Sequence, residues 1–553
     1  MSRSALSPSA RTRHLATLAR TTPEDPLDIL VIGGGINGAG AAFDAATRGL
    51  SVGLVEKNDL AHGTSSRSSK LMHGGLRYLQ MLDFSLVAEA LRERDLLLTT
   101  TAPHLVRPLS FMFPMKNLLE RGYIGSGIVL YDAMQTLHRA VPRHRHLFST
   151  ALNARVPGLD ASKNAGAIEY FDAQMDDARF VMMLARSAAN LGAAIATYTE
   201  VIEYLKDGEA IIGARVRDTL TGEEFPVYAR RTILGAGVWT GRQQDAAGSA
   251  AGLTVLASKG IHITVPRSAI QAAPETGIIT TTASSVLFII PWDDYWLIGT
   301  TDTAYKGDIE RPEASSEDID YVLEQANRIL ARPLSRDDVI GTFAGLRPLL
   351  QPVKGSEGGS AKVSREHTVM EVAPRLSAIA GGKYTTYRVM AEDVVDFALR
   401  EQADAPASRT TEIPVIGGAG YAEMTLRAPG RAAAHGIDEA RLDRLLFRYG
   451  TLLDDLFDLM DADPSLAAPL AKAPRYLRSE IVYAARAEGV VHLADALMRR
   501  TRLDYEVKDR GVGAAPEVAA LLAAELGWDK EREATEIANY TAAIQKRLAA
   551  EAA

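Results

Sequence analysis

Gly33, Gly35 and Gly38, in the run Gly33-Gly34-Gly35-Ile36-Asn37-Gly38, hold the spacing G-x-G-x-x-G. Each of these glycines removes a side chain where backbone has to come close to something else. Gly33 permits a tight turn, Gly35 lets the chain approach a pyrophosphate, and Gly38 lets a helix pack on a strand. Free N–H groups at the start of that helix, in the turn that carries Asn37, then face the phosphate charge. Glu56 stands at the acidic position roughly 20 residues on. Its carboxylate can accept hydrogen bonds from both hydroxyls of a ribose and repels a 2′-phosphate, which disfavours NADP. The fingerprint alone does not separate FAD from NAD. The run Thr64-Ser-Ser-Arg-Ser-Ser-Lys-Leu-Met-His-Gly-Gly-Leu-Arg-Tyr78 follows. Hydroxyls this dense, at Thr64, Ser65, Ser66 and Ser69, can bond phosphate and ribose without filling the space a large cofactor needs. By composition alone the run reads as a polar loop.

This chemistry needs a frame. Residues 28–32, apolar and rich in β-branched types, predict a buried parallel strand. An alanine-rich helix over about 37–48 follows, with Gly49 at its C-cap, and then a strand over 51–56. Helices are predicted over 85–99 and 177–191. The runs 260–265, 286–290 and 295–298 predict a second, more antiparallel sheet. Arg231-Thr-Ile-Leu-Gly-Ala-Gly237 repeats the buried-strand-then-glycine pattern, so Gly235 and Gly237 are predicted to admit the cofactor. The fold class is α/β: a Rossmann-like dinucleotide-binding domain over 27–403, interleaved with an antiparallel-sheet substrate domain at roughly 103–175 and 240–345. Pro406, Pro414, Gly417, Gly418 and Gly420 mark 404–420 as a linker. Residues 421–553 read as an all-α domain. In its last helix Ile537, Tyr540, Ile544 and Leu548 share one face.

With 553 residues the chain is long enough for two or three domains, and its composition is that of a globular protein. A net charge of −8 argues against nucleic acid. The absence of cysteine excludes disulfides and thiolate metal sites, and no metal is expected, so electron chemistry has to come from an organic cofactor. No run approaches the ~20 apolar residues that cross a bilayer. Residues 1–26 carry Arg11, Arg13 and Arg20 without an apolar stretch and read as a flexible extension, which leaves a cytoplasmic location.

The order of motifs closely resembles the FAD-dependent glycerol-3-phosphate dehydrogenase family, over roughly residues 28–505. Besides Gly33 to Gly40 and the hydroxyl-rich run, Asp176-Asp177-Ala-Arg179 resembles the family's D-D-A-R segment. Lys259-Gly-Ile-His-Ile-Thr-Val-Pro-Arg267 resembles its K-G-S-H-x-x-V-P-R strand. Pro291-Trp292, Gly299-Thr-Thr-Asp302, Gly345-Leu-Arg-Pro-Leu349 and Gly381-Gly-Lys-Tyr-Thr-Thr-Tyr-Arg388 match further motifs in the same order. Ile261 stands where many members carry serine, and Ala236-Gly237-Val238-Trp239 replaces A-T-G-P-W.

The resemblance implies FAD as cofactor and oxidation of sn-glycerol 3-phosphate to dihydroxyacetone phosphate by hydride transfer from C2 to the flavin. Electrons would pass on to a membrane quinone, from a protein peripheral on the inner face of the cytoplasmic membrane; a homodimer is left open. Arg77 and Arg347 are then expected at the substrate phosphate, where a guanidinium fork matches phosphate oxygens. His262 is expected to take the hydroxyl proton, and Tyr78 to donate to the substrate. Lys383 would stabilise charge on the reduced flavin or hold the substrate oxygen. Gly382 would admit the ring, Thr385 and Thr386 would bond its pyrimidine edge, and His73 would touch the cofactor. Three other readings stay open: an oxidase of the same substrate making hydrogen peroxide, a flavin amine or amino-acid oxidase, and a non-catalytic flavin-bound partner module.

Overall fold

The computed structural model describes residues 4–75, 83–135, 140–249, 254–282, 285–350 and 367–553. Two sheets dominate it. Strand Leu27–Ile32 lies inside the first, parallel to Val52–Val55 on one side and to Glu224–Leu234 on the other. Burial on both faces explains its unbroken apolar run, with Ile29, Leu30 and Val31 wholly buried. Ala194–Ala196 and Leu376–Gly381 extend the parallel set at its two ends, and His367–Ala373 adds an antiparallel edge. Helices Ile36–Thr47, Asp177–Asn190 and Tyr387–Leu399 cover one face in a single apolar core. The hairpin Thr199–Asp207 and Ala210–Asp218 helps close the other.

The second sheet has ten strands among the described residues, antiparallel except where Thr276–Thr281 runs beside Val106–Met115. Its strands fall between those of the first sheet in sequence, so the two units interleave as the sequence predicts. Strand Val255–Pro266 pairs with Gly341–Leu350 along nearly its whole length and with Tyr295–Gly299 on its other side.

Two expectations change. Residues 8–19 are no loose extension: Pro8–Ala19 is a helix, with Ser7 accepting from Ala10 N at its start. Arg11 forks onto Asp218 at 2.8 and 3.1 Å, and Leu18 is wholly buried, filling space that Gly53 leaves bare. An isolated Leu6–Glu488 bridge ties the same segment to the C-terminal part. That part is not purely helical either. Helices Tyr421–Ala434, Glu439–Tyr449, Leu453–Ala462, Arg478–Ala487, Ala515–Leu526 and Lys530–Ala552 carry a two-stranded ribbon, Pro469–Leu470 with Ala473–Leu477, among them. The segment 404–420 that leads there is strapped down, with Val415 N donating to Thr101 O and Ile416 N to Ser187 Oγ.

Candidate active site

The carboxyl ends of the first sheet's strands and one face of the second enclose a crevice of about 490 Å³. At its floor Gly33 adopts φ +112°, a conformation that disfavours any side chain, and a Cβ on Gly38 would run into Gly33 O. Gly235 closes on the same turn, within 3.0 Å of Gly38 N if it carried a Cβ. Ser65 Oγ accepts from Ile36 N at 2.9 Å, and Thr64 Oγ1 donates to Leu346 O at 2.5 Å. The hydroxyl-rich run thus bridges the two sheets. Glu56 accepts from Gly34 N at 2.6 Å and from Asn58 N at 2.8 Å, and burial pushes its carboxyl pKa up. Each of its oxygens keeps a further lone pair. Asn37 Oδ1 is buried in the same turn with no partner among the described residues.

The far end of the crevice is made by register. His262 faces Phe343, Gly260 faces Gly345 and Ser258 faces Arg347 across two antiparallel strands. Alternation places His262, Gly260 and Ser258 on one side of the sheet with their three partners. The glycine pair puts no side chain of its own between imidazole and guanidinium, and Arg67 closes on Gly345, its O 2.8 Å from where a Cβ would stand. Arg347 folds over Gly260, and a Cβ there would sit 2.7 Å from its Nη2. Its guanidinium is aimed by Thr300 Oγ1 and Thr301 O, each 3.1 Å away, and by Asp302 Oδ1 at 3.3 Å. The His262 ring stacks on Phe343 at 4.8 Å, with Nε2 2.9 Å from Ser69 Oγ. Its Nδ1 has no partner among the described residues. Burial, followed by the nearby charges of Lys70 and Arg347, holds the imidazole pKa well below its ordinary value.

Most residues singled out in the sequence line this crevice: Gly33, Gly35, Asn37, Glu56, Thr64, Ser65, Ser69, His73, Gly235, Gly237, His262, Arg347, Gly382 and Lys383. Gly38 supports it from behind. Ser66, Thr385 and Thr386 are not among its lining. The Ser66 hydroxyl turns back to Gly63 O at 3.5 Å. Thr385 donates to His73 O and accepts from His73 N, tying that loop to its own, and Thr386 donates to Lys383 O within its turn. Arg77 and Tyr78 lie outside the described residues.

Sequence reasoning passed over Lys70. It is wholly buried, 2.7 Å from Asp177 Oδ1, and lies over the Phe343 ring at 5.1 Å. Burial pushes its pKa down to about 8. Asp177 also accepts from Ser68 N and Oγ, so the D-D-A-R segment anchors the loop that carries Ser69. No local pattern signals a pair that lies 107 positions apart.

FAD fits what is present. The glycine floor has no room for Cβ atoms, Asn37 offers an unpartnered buried oxygen, and the lining runs from an acid at a strand end to a buried imidazole. Fold and crevice together define an FAD-dependent oxidoreductase, and the family model of that description, FAD dependent oxidoreductase, matches residues 28–385. A second model, the C-terminal domain of alpha-glycerophosphate oxidase, matches residues 408–533. Glycerol-3-phosphate dehydrogenase 2 of Mycobacterium tuberculosis is 46% identical over 530 residues, covering 96% of this chain and 90% of that one. The mitochondrial glycerol-3-phosphate dehydrogenase of Mus musculus is 35% identical, over 97% of this chain and 75% of that one. The crystal structure of glycerol-3-phosphate dehydrogenase from Bacillus halodurans complexed with FAD superposes with a TM-score of 0.78 at 27% identity, covering 98% of both chains. The chain belongs to the FAD-dependent glycerol-3-phosphate dehydrogenase family.

Proposed function

We propose that this protein oxidises sn-glycerol 3-phosphate to dihydroxyacetone phosphate and passes the electrons to a membrane quinone. The observation that carries the reading is that His262 and Arg347 line one crevice from the same sheet face, separated only by the side-chain-free Gly260–Gly345 pair. When bound, FAD supplies the hydride acceptor. Arg347, held as a fork by Thr300, Thr301 and Asp302, binds the phosphate dianion, and Arg77 is proposed as its partner there. With Nε2–H turned to Ser69 Oγ, the neutral His262 ring keeps the Nδ1 lone pair for the C2 hydroxyl proton. Lys383, at the turn behind Gly381 and Gly382, places a cation where negative charge develops. The names of the M. tuberculosis and B. halodurans relatives support the same substrate.

A membrane-surface position is supported by helix Leu118–Ala133. No described helix is long and apolar enough to cross a bilayer. Yet on this one Leu119 is 87% and Tyr123 69% exposed, with Val129, Leu130 and, on the adjoining strand, Phe148 also bare. Arg121 lies over the Phe148 ring at 4.3 Å, and Lys116, Arg143 and Arg145 are close to these residues in sequence. An exposed apolar face rimmed by basic residues suits a helix lying in the headgroup layer. Leu119→Glu with Tyr123→Glu is expected to abolish co-sedimentation with anionic vesicles and to spare flavin reduction. Unchanged co-sedimentation would remove this surface from the proposal.

The substrate test is anaerobic bleaching of the bound flavin by glycerol 3-phosphate, followed by reoxidation with a soluble quinone or with oxygen. Flavin that stays oxidised refutes the reading. The match of residues 408–533 to an oxidase's C-terminal domain favours a second reading, electron transfer to oxygen, and stoichiometric hydrogen peroxide would establish it.

A further inference from the structure

The C-terminal helical part reaches the candidate base through Tyr505, on the short helix Leu503–Glu506. The backbone of this residue sits on the Thr264–Gly341 pair: Thr264 Oγ1 donates to Tyr505 O at 2.6 Å, and a Cβ on Gly341 would collide with Tyr505 O. Thr264 and Gly341 lie two residues from His262 and Phe343, on the same sheet face. The Tyr505 ring therefore reaches the next pair along and meets Phe343 at 4.9 Å, while Phe343 stacks on His262 at 4.8 Å and 15°. Lys70 Nζ lies over both rings, 5.1 Å from that of Phe343 and 5.6 Å from that of Tyr505. The Tyr505 hydroxyl is buried with no partner among the described residues, so the ring, not the hydroxyl, accounts for the contact. On the other edge of the imidazole Gly299 leaves no side chain, and its own Cβ would run into the ring. His262 is thus clamped between a gap in one strand and an aromatic stack whose outer member comes from the C-terminal helices.

We propose that Tyr505 is a positioning residue for His262, acting through Phe343, so that the C-terminal helical part sets the orientation of the base. This rests on His262 being the base, and the experiment separates the two claims. The holoenzymes of Tyr505→Leu, Tyr505→Phe, His262→Gln and the Tyr505→Leu/His262→Gln double variant are compared. The readouts are flavin content, thermal midpoint, kcat and KM for glycerol 3-phosphate, and the rate of anaerobic flavin reduction. Tyr505→Leu is expected to keep its flavin and its KM, while flavin reduction slows by about 10- to 100-fold. Tyr505→Phe restores the wild-type rate. In the His262→Gln background the leucine substitution costs nothing further, because the side chain it would misplace is gone. A wild-type rate for Tyr505→Leu, or the same loss in both backgrounds, overturns the inference and makes Tyr505 a packing residue only. A wild-type rate for His262→Gln overturns the assignment of the base itself. Should Tyr505→Leu fail to hold flavin, Phe343→Leu thins the same stack from the strand side and carries the same cycle, with the same two outcomes.

Discussion

At the scale of single residues, charge and desolvation set what the crevice can do. The Arg347 guanidinium is aimed by three oxygens, and lysine cannot reproduce that fork. Arg347→Lys is expected to raise KM for glycerol 3-phosphate by about 10- to 100-fold with a smaller change in kcat, since a charge-assisted bidentate contact is worth roughly 1.5–3 kcal/mol. Equal KM in steady-state kinetics would place the phosphate elsewhere. His262→Gln should slow flavin reduction by about 10²- to 10⁴-fold. Burial, Lys70 and Arg347 all disfavour the protonated imidazole, so its pKa lies below the ordinary 6.5. In the substrate-free holoenzyme its ring is therefore expected to stay neutral as pH falls from 8 to about 6, and NMR titration of the imidazole checks this. Lys70→Met removes one of the two cations and should move that titration upward.

Elements deliver those residues by register and by close approach. The helix Ile36–Thr47 can meet strand Leu27–Ile32 only because Gly38 has no Cβ. Gly38→Ala is expected to purify colourless while keeping its far-UV circular dichroism, and a yellow protein would deny the glycine its part in the cofactor site. The final helix shows how an apolar pattern can mislead. Of the expected face, Tyr540 and Ile544 are buried but Leu548 is 40% exposed. Glu551 is buried near it instead, accepting from Thr342 Oγ1 at 2.5 Å and from Arg510 Nη2 at 2.6 Å. The helix docks by a polar contact on the strand that carries Phe343 and Arg347, and hydrophobic periodicity does not register such a contact.

Over the whole molecule, buried ion pairs lock the C-terminal helices to the FAD-binding part. Arg179 forks onto Glu488 at 2.9 and 3.2 Å, both wholly buried, and Asp59 and Asp176 each take two arginines from the C-terminal side. Arg179→Met leaves the buried Glu488 carboxylate with only the longer 3.9 Å pairing to Arg186, at a cost of about 3–5 kcal/mol, while replacing both members by apolar residues costs less. The thermal midpoint should fall in Arg179→Met and recover in Arg179→Met/Glu488→Leu. No recovery would show that the charges contribute more than mutual compensation.

What the sequence determined by itself is what contiguous residues dictate. The sign of φ at Gly33, the missing Cβ at Gly38 and the strand–helix order are local sterics, legible within a dozen positions, and with the motif order they identified the cofactor and the two interleaved sheets. Tertiary structure alone decided the rest. Ser69 meets His262 across 193 positions, and Lys70 meets Asp177 across 107. The N-terminal segment became a helix because Gly53 and Asp218 were there to receive Leu18 and Arg11. Such contacts depend on the register of Val255–Pro266 against Gly341–Leu350 and on the docking of the C-terminal helices, which only the assembled core fixes, because no short stretch of chain contains both partners.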